Sequence, residues 1–382
     1  MKSKVLLIIP HLSIGGTEMQ TLNLATALVD GGHEVHILCL FRNLPSVVNS
    51  FETIGAKVHI VSPEYNNSQI IIQYPKKLKL VRFVYTALKK ILKNTEFQYI
   101  HVQYMTPGTT IILLLRFVWR FKNILATIHT YAGVNDNIKL VRFIQRYCIG
   151  VFTCITLAAE ESYFGTSQLY TPTTNLKRHN HFTIYNSLPK NFEITQIQRE
   201  FDMPITIGVV SRLEHIKGMD LVIPAYAEIL KEFPDTKLIV VGDGALRQSM
   251  EQQAVALHCN SSITWAGRQP QEHIQEWYSR IDVLLMPSRS EGFGLTAIEA
   301  MASGCVVVAS DVGGLPEVVR DGEVGLLHTS ESVSGIVEKV KKLMAAPGLM
   351  ERLSVNAVKY VGQYSIDRYT LLFNDLYSKL SR

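Results

Sequence analysis

The sequence predicts an α/β protein built from two Rossmann-like, doubly wound parallel-sheet domains in succession, and three observations lead there. Short, continuously apolar runs recur along the chain, separated by polar or amphipathic stretches of helical length, the pattern of strands covered by helices on both faces. That pattern begins at Val5 and starts afresh after Pro204. The length, 382 residues, suffices for two domains of ordinary size. Two such domains facing a central cleft would take a ligand there, at the carboxyl ends of their strands.

In the first half Val5–Ile9 reads as a buried strand and Ile14-Gly15-Gly16-Thr17 as a turn. Thr17–Val29 then reads as a helix with Leu22, Ala25, Leu28 and Val29 on its apolar face. Asp30-Gly31-Gly32 stops it, and Val35–Phe41 completes a βαβ unit. Val58–Val61, Tyr99–Val102, Ile124–Ile128 and Val151–Thr156 extend the sheet. A linker falls near Pro189–Pro204, dividing residues 1–190 from residues 191–364. Beyond it, Ile205–Val210, Lys237–Val241, Ile281–Met286, Val306–Ser310 and Gly325–Leu327 read as strands, and Gly218–Phe233 and Ala245–Ala256 as helices. In the last segment, 365–382, Ile366, Tyr369, Leu372, Phe373, Leu376 and Leu380 recur at helical spacing, which predicts a capping helix or one crossing back to the N-terminal domain.

Composition removes several classes of protein. A hydrophobic share of 47% and a charged share of 19% are those of a chain with real cores, not a disordered one. No apolar run reaches the roughly 18–20 residues that a membrane-spanning helix needs; the best candidate, around Ile111–Trp119, is interrupted by Arg116. The apolar start ends at Pro10 without a small-residue cleavage site, so the first segment is expected to stay as a strand. Five scattered cysteines without a C-x-x-C pair fit neither a disulfide framework nor a zinc site, and the reducing cytoplasm is the expected location. The net charge of +5 conceals a division: residues 1–190 hold 20 Lys and Arg against 9 Asp and Glu, a balance of +11, while residues 191–382 hold 18 against 24, a balance of −6.

The segment richest in chemistry runs from Pro287 to Gly304 and contains Glu291-Gly292-Phe293-Gly294-Leu295 and Glu299. It leaves an apolar strand, loosens at its glycines and enters a helix near Gly294 or Leu295. The free N–H groups at that helix start, with the dipole behind them, suit an anion such as phosphate. Glu299, little more than a turn in, leans back toward the helix start and suits hydroxyl groups of a ribose or sugar; Glu291 would flank the same ligand. Arg212 and Lys217, in the strand-to-helix loop Ser211–Gly218 at the same sheet edge, can neutralise a diphosphate. In the first half, Gly15-Gly16 permits a close backbone approach, and His129 follows the strand Ile124–Ile128, where a structural and a ligand-facing role are equally open.

These motifs together resemble the retaining glycosyltransferases of family 4, bacterial surface-polysaccharide type, with the GT-B fold. The resemblance rests on EGFGLTAIEAMASG at 291–304, ASDVGGLPEVV at 309–319, SRLEHIKG at 211–218 and GGTE at 15–18, and extends over nearly the whole chain. It implies an acceptor-binding N-terminal domain and a C-terminal domain that holds a nucleotide-diphosphate sugar. By the same resemblance Arg212, Lys217 and the backbone of Gly294 and Leu295 hold the diphosphate and Gly16 approaches it. Glu299 holds the ribose, while Glu291 and His129 contact the donor sugar, making Glu291, His129, Arg212 and Lys217 the implied catalytic set. Arg268 borders the base, and Gly15, Gly292 and Phe293 complete the implied donor-binding set. Asn186 matches a family segment usually ending Asn-Gly, where this chain has Ser187, and Ala158-Ala159-Glu160 lacks the serine that often precedes the acid. Retention of anomeric configuration is implied, by same-face attack or through a covalent intermediate. No cofactor or metal is implied; fixed cations can stabilise the departing diphosphate, and the sequence has no Asp-x-Asp triplet.

Other readings give other expectations. A dehydrogenase is disfavoured, because the first turn lacks G-x-G-x-x-G and the second strand ends at Phe41-Arg42 with no acid for a ribose. A phosphorylase or sugar-nucleotide epimerase of the same architecture, or a non-catalytic nucleotide-sugar sensor, stays open. A UDP-hexose or UDP-N-acetylhexosamine is the favoured donor, with GDP-mannose behind. The stretch Lys76–Lys93 sets seven cations among apolar residues at near-helical intervals. With Arg116, Arg120 and Lys122 it reads either as a solvated helix face or as a surface docking on an anionic membrane, which would suit a lipid-linked acceptor. Nucleic acid is not an expected partner.

Overall fold

The computed structural model describes residues 2–61, 77–104, 107–133, 137–196 and 199–380. Lys76 and residues 197–198 of the predicted linker therefore lie outside the described residues. The chain divides into two compact units, Met1–Lys190 with Ile366–Arg382, and Asn191–Ser365.

The N-terminal unit is a sheet of strands β1 (Lys4–Ile9), β2 (Glu34–Cys39), β3 (Lys57–Ile60), β4 (Tyr99–Tyr104), β5 (Ile124–Ile128), β6 (Val151–Cys154) and β7 (His181–Thr183). Their order is β3-β2-β1-β4-β5-β6-β7, and every pairing is parallel. Two cores cover its faces, one under helices Lys77–Asn94, Gly108–Phe117 and Ile138–Tyr147, the other under Gly16–Asp30 and the final helix Ile366–Leu380. That final helix buries Tyr369, Phe373, Leu376 and Tyr377, and the Tyr377 hydroxyl lies 2.9 Å from Nδ1 of the wholly buried His101. Full burial of each such side chain stabilises by about 1.5–3 kcal/mol, which explains why the last fifteen-residue helix belongs to the first unit.

The C-terminal unit repeats the plan with β8 (Thr206–Val210), β9 (Lys237–Val241), β10 (Ile263–Gly267), β11 (Val283–Met286), β12 (Val306–Ser310) and β13 (Gly325–His328). Here the order is β10-β9-β8-β11-β12-β13, again parallel throughout. Both sheets thus send all their strand-to-helix loops out of one edge. The helix predicted over Gly218–Phe233 is shorter: 3-10 turns at His215–Lys217 and Met219–Leu221 precede an α-helix at Val222–Leu230, because Gly218 adopts a left-handed conformation that breaks the helical run. All five cysteines are buried thiols, and among the described residues no helix is long and apolar enough to cross a membrane.

Candidate active site

Three loops at the carboxyl edge of the C-terminal sheet are pressed together. They follow β8 (Ser211–Gly218), β9 (Gly242–Leu246) and β11 (Pro287–Gly294). A Cβ on Gly242 (φ +131°) would stand 1.8 Å from the Ser211 carbonyl oxygen, and one on Gly218 (φ +67°) 1.9 Å from that of Pro287, so neither site admits a side chain. Backbone bonds tie the loops: Leu213 N donates to Asp243 O (3.0 Å), and Arg289 N to Ile216 O (2.9 Å). The Arg289 guanidinium completes the fastening. It forks both Asp220 oxygens (2.7 and 2.8 Å), donates to the His215 carbonyl (2.6 Å) and reaches Glu331 (3.0 Å). Its hydrogen bonds hold the Asp220 carboxyl below the usual carboxylate range.

Within this frame Lys217 Nζ donates to Glu291 Oε2 at 2.6 Å, with side chains only 21% and 15% exposed. Arg212 is more open, 57% exposed, and pairs with Glu214 at 2.8 Å. Gly294 (φ +102°) turns the chain into helix Leu295–Ala302. The N–H groups of Leu295 and Thr296, in the first turn, have no carbonyl of their own helix to meet. The Glu291 carbonyl accepts from Gly314 N (3.1 Å), joining the loop after β12 to the cluster. Gly292, half-buried, lies between that carbonyl and the helix start. Phe293 does otherwise: its ring is buried edge-on to Tyr364, centroids 5.5 Å apart, so a ligand can use only its backbone.

Glu299 is buried, and its Oε2 accepts from the Tyr278 hydroxyl (2.8 Å) and its Oε1 from Gln271 Nε2 (3.3 Å). Burial raises its pKa to about 7 against the pull of those two donors. Arg268 is exposed just past β10. The C-terminal unit therefore offers two cations, a helix start and a carboxylate poised to ionise near neutrality, the equipment for an anion that also carries hydroxyls.

In the N-terminal unit Gly15 caps helix Gly16–Asp30, and the Glu18 carboxylate lies against it, accepting from Ser13 Oγ at 2.7 Å. His129 directly follows β5, buried, with Nε2 2.6 Å from Gln103 Oε1; burial lowers its pKa to about 4, so the ring is neutral at neutral pH. The two segments that depart from the motifs of the resemblance make internal hydrogen bonds. The Ser187 carbonyl accepts from Gln20 (2.8 Å) and Asn23 (3.1 Å), and buried Glu160 binds His181 (2.7 Å) and Thr183 (2.7 Å). Reasoning from sequence missed Arg289, Asp220, Tyr278, Gln271 and Gln103. Arg289 stands inside the glycine segment, two residues before Glu291, and its charge was a usable signal; the others carry no local mark.

Comparison with known proteins adds the family. The sequence model described as "Glycosyl transferases group 1" matches residues 190–360, and that described as "Glycosyltransferase Family 4" matches residues 14–154. N-acetyl-alpha-D-glucosaminyl L-malate synthase of Bacillus anthracis is 24% identical over 387 residues, covering 96% of this chain and 97% of its own. D-inositol 3-phosphate glycosyltransferase of Streptomyces bingchenggensis is 32% identical over 180 residues, 45% of this chain and 40% of its own. Among solved structures, Anabaena Alr3699/HepE in complex with UDP superimposes with a TM-score of 0.77 at 17% identity, covering 98% of this chain and 100% of that one. The same Anabaena protein has also been solved with UDP-glucose.

Proposed function

The chain belongs to glycosyltransferase family 4 and has the GT-B fold, and from that premise we propose that it moves a sugar, with retention of anomeric configuration and without a metal, from a nucleotide-diphosphate sugar to a saccharide or lipid-linked acceptor. The reading places it in cell-surface polysaccharide assembly, such as lipopolysaccharide or capsule, in the cytoplasm at the inner face of the plasma membrane. One observation carries it: the Lys217–Glu291 pair lies in the loop cluster from which helix Leu295–Ala302 starts, with buried Glu299 one turn further on.

The chemistry follows from charge. When the bond between the anomeric carbon and the diphosphate oxygen breaks, the electron pair leaves with the nucleotide. Lys217, Arg212 and the helix-start N–H groups, once they hold the diphosphate, would stabilise that charge without further reorganisation as the bond breaks. The diphosphate would replace Glu291 as the partner of Lys217, freeing Glu291 to face the donor sugar. Glu299 would accept from the ribose hydroxyls, and Arg268 would border the base. The Anabaena complexes support uridine as the base, and the name of the Bacillus relative supports an N-acetylhexosamine as the sugar.

A thermal-shift screen against UDP- and GDP-sugars tests this, since a ligand of the folded state raises its melting temperature. A UDP-sugar is expected to give the largest shift, to be turned over with extracted glycolipid or saccharide acceptors, and to bind at least about tenfold more weakly to Lys217→Ala, which loses a charge-assisted bond. Absence of any shift, equal affinity in Lys217→Ala, or binding without transfer to any acceptor would each defeat the proposal, the last in favour of a sensor.

A further inference from the structure

The three helices over one face of the N-terminal sheet, Lys77–Asn94, Gly108–Phe117 and Ile138–Tyr147, carry six, one and three Lys or Arg respectively and not a single Asp or Glu. Among the described residues, Lys79, Arg82, Lys89, Lys90 and Lys93 of the first helix are exposed and none meets a carboxylate within 4.0 Å. Charge of one sign over three adjoining helices, with no ion pair to it among the described residues, is costly in self-repulsion unless something anionic covers it.

The same surface is also apolar where it should be wet. On the first helix Leu78, Val81 and Tyr85 are 85%, 39% and 37% exposed, and their spacing of three and four residues sets them in one row beside Arg82 and Lys89. Tyr85 stacks at a tilt on Trp119, and Phe117 and Val118, which end the second helix, are more than half exposed. On the third helix Phe143 and Tyr147 touch (centroids 5.2 Å), are 43% and 55% exposed, and Arg146 lies over the Tyr147 ring. Nucleic acid would explain the cations but not exposed aliphatic residues such as Leu78 and Val118, because stacking on bases calls for rings. An anionic bilayer explains both: aromatic and aliphatic side chains enter the headgroup layer while long cationic side chains reach its phosphates.

We propose that this three-helix face docks on an anionic phospholipid surface. The inference adds the partner to the acceptor reading above, on which it rests only for its purpose, a lipid-linked acceptor being presented at that surface.

The test is sedimentation of the full chain with phosphatidylcholine vesicles, with and without phosphatidylglycerol. Binding is expected only with phosphatidylglycerol and should weaken with salt. The triple change Lys89→Glu, Lys90→Glu, Lys93→Glu should reduce it about tenfold or more, whereas Lys231→Glu, Lys237→Glu, Lys342→Glu, on exposed sites of the other unit, should not. Phe143→Ser with Tyr147→Ser should remove the part of the binding that survives high salt. The nucleotide-sugar thermal shift, measured on every variant, shows that it is folded and keeps the two readings separable. Wild-type protein that stays in the supernatant, equal binding to neutral vesicles, equal loss in both triple variants, or binding of a DNA duplex in place of vesicles would overturn the proposal.

Discussion

Glu299 holds two demands in one side chain. Buried, it prefers the neutral acid and has a pKa of about 7, against an ordinary 4.5. In its proposed role as a partner of ribose hydroxyls, it would have to accept hydrogen bonds and would therefore prefer to be ionised. Nucleotide-sugar affinity should accordingly rise about tenfold from one pH unit below 7 to one above, following the ionised fraction. The diphosphate ester of a nucleotide sugar does not titrate in that range, so titration calorimetry with the sugar nucleotide found by the thermal-shift screen isolates the effect. Glu299→Gln keeps an acceptor for the Tyr278 hydroxyl and should show a weaker but pH-flat affinity. Glu299→Ala leaves that buried hydroxyl without a partner and should also cost about 1–3 kcal/mol of stability. A wild-type affinity indifferent to pH would remove Glu299 from the nucleotide site.

Among the elements, the loops decide more than the strands do. Gly218 ends a 3-10 turn in the left-handed region with the Pro287 carbonyl where a Cβ would be. Gly218→Ala therefore meets backbone, which cannot swing aside, and should cost more than about 1 kcal/mol of stability while displacing Lys217. Denaturant unfolding and nucleotide-sugar affinity should both worsen; a variant as stable as wild type would show that the two loops are not locked. The contrast with the strands explains what the sequence made legible. Ile124–Ile128, Lys237–Val241 and Val306–Ser310 are pure apolar runs, or nearly so, and their predicted limits coincide with those observed. The strands β7 and β10 went unread, because His181-Phe182-Thr183 is only three residues long and Ile263–Gly267 is an edge strand of mixed burial that ends at Gly267. The glycine segment and the Arg212–Lys217 loop stood out by residue type alone. Their partnerships did not: Lys217 with Glu291 and Arg289 with Asp220 bridge 74 and 69 residues, and such pairing is a property of the folded sheet edge, not of local sequence.

At the scale of the whole molecule, the two units have opposite titration problems. In the N-terminal unit burial lowers His101 to about 3 and His129 to about 4 from an ordinary 6.5. Below 6.5 the unfolded chain takes up protons that the folded unit refuses, so the stability these rings lend is present above 6.5 and is lost as pH falls. At pH 5 the loss is about 2 kcal/mol for each ring. In the C-terminal unit Glu299 acts with the other sign: its proton is held when folded and released when unfolded, so its contribution is full below 4.5 and is lost as pH rises toward about 7. His328, lowered by burial, offsets part of that gain on acidification. The three tryptophans allow each unit to be followed alone, since Trp119 lies in the N-terminal unit and Trp265 and Trp277 in the C-terminal one. In thermal melts followed by tryptophan fluorescence, the Trp265→Phe, Trp277→Phe protein reports the first unit and the Trp119→Phe protein the second. Acidification from pH 7 to 5 should lower the melting temperature of the first by on the order of 10 °C and that of the second by much less. Parallel falls in the two reporters would mean that the units unfold as one, or that the buried histidines of the first do not set its acid stability.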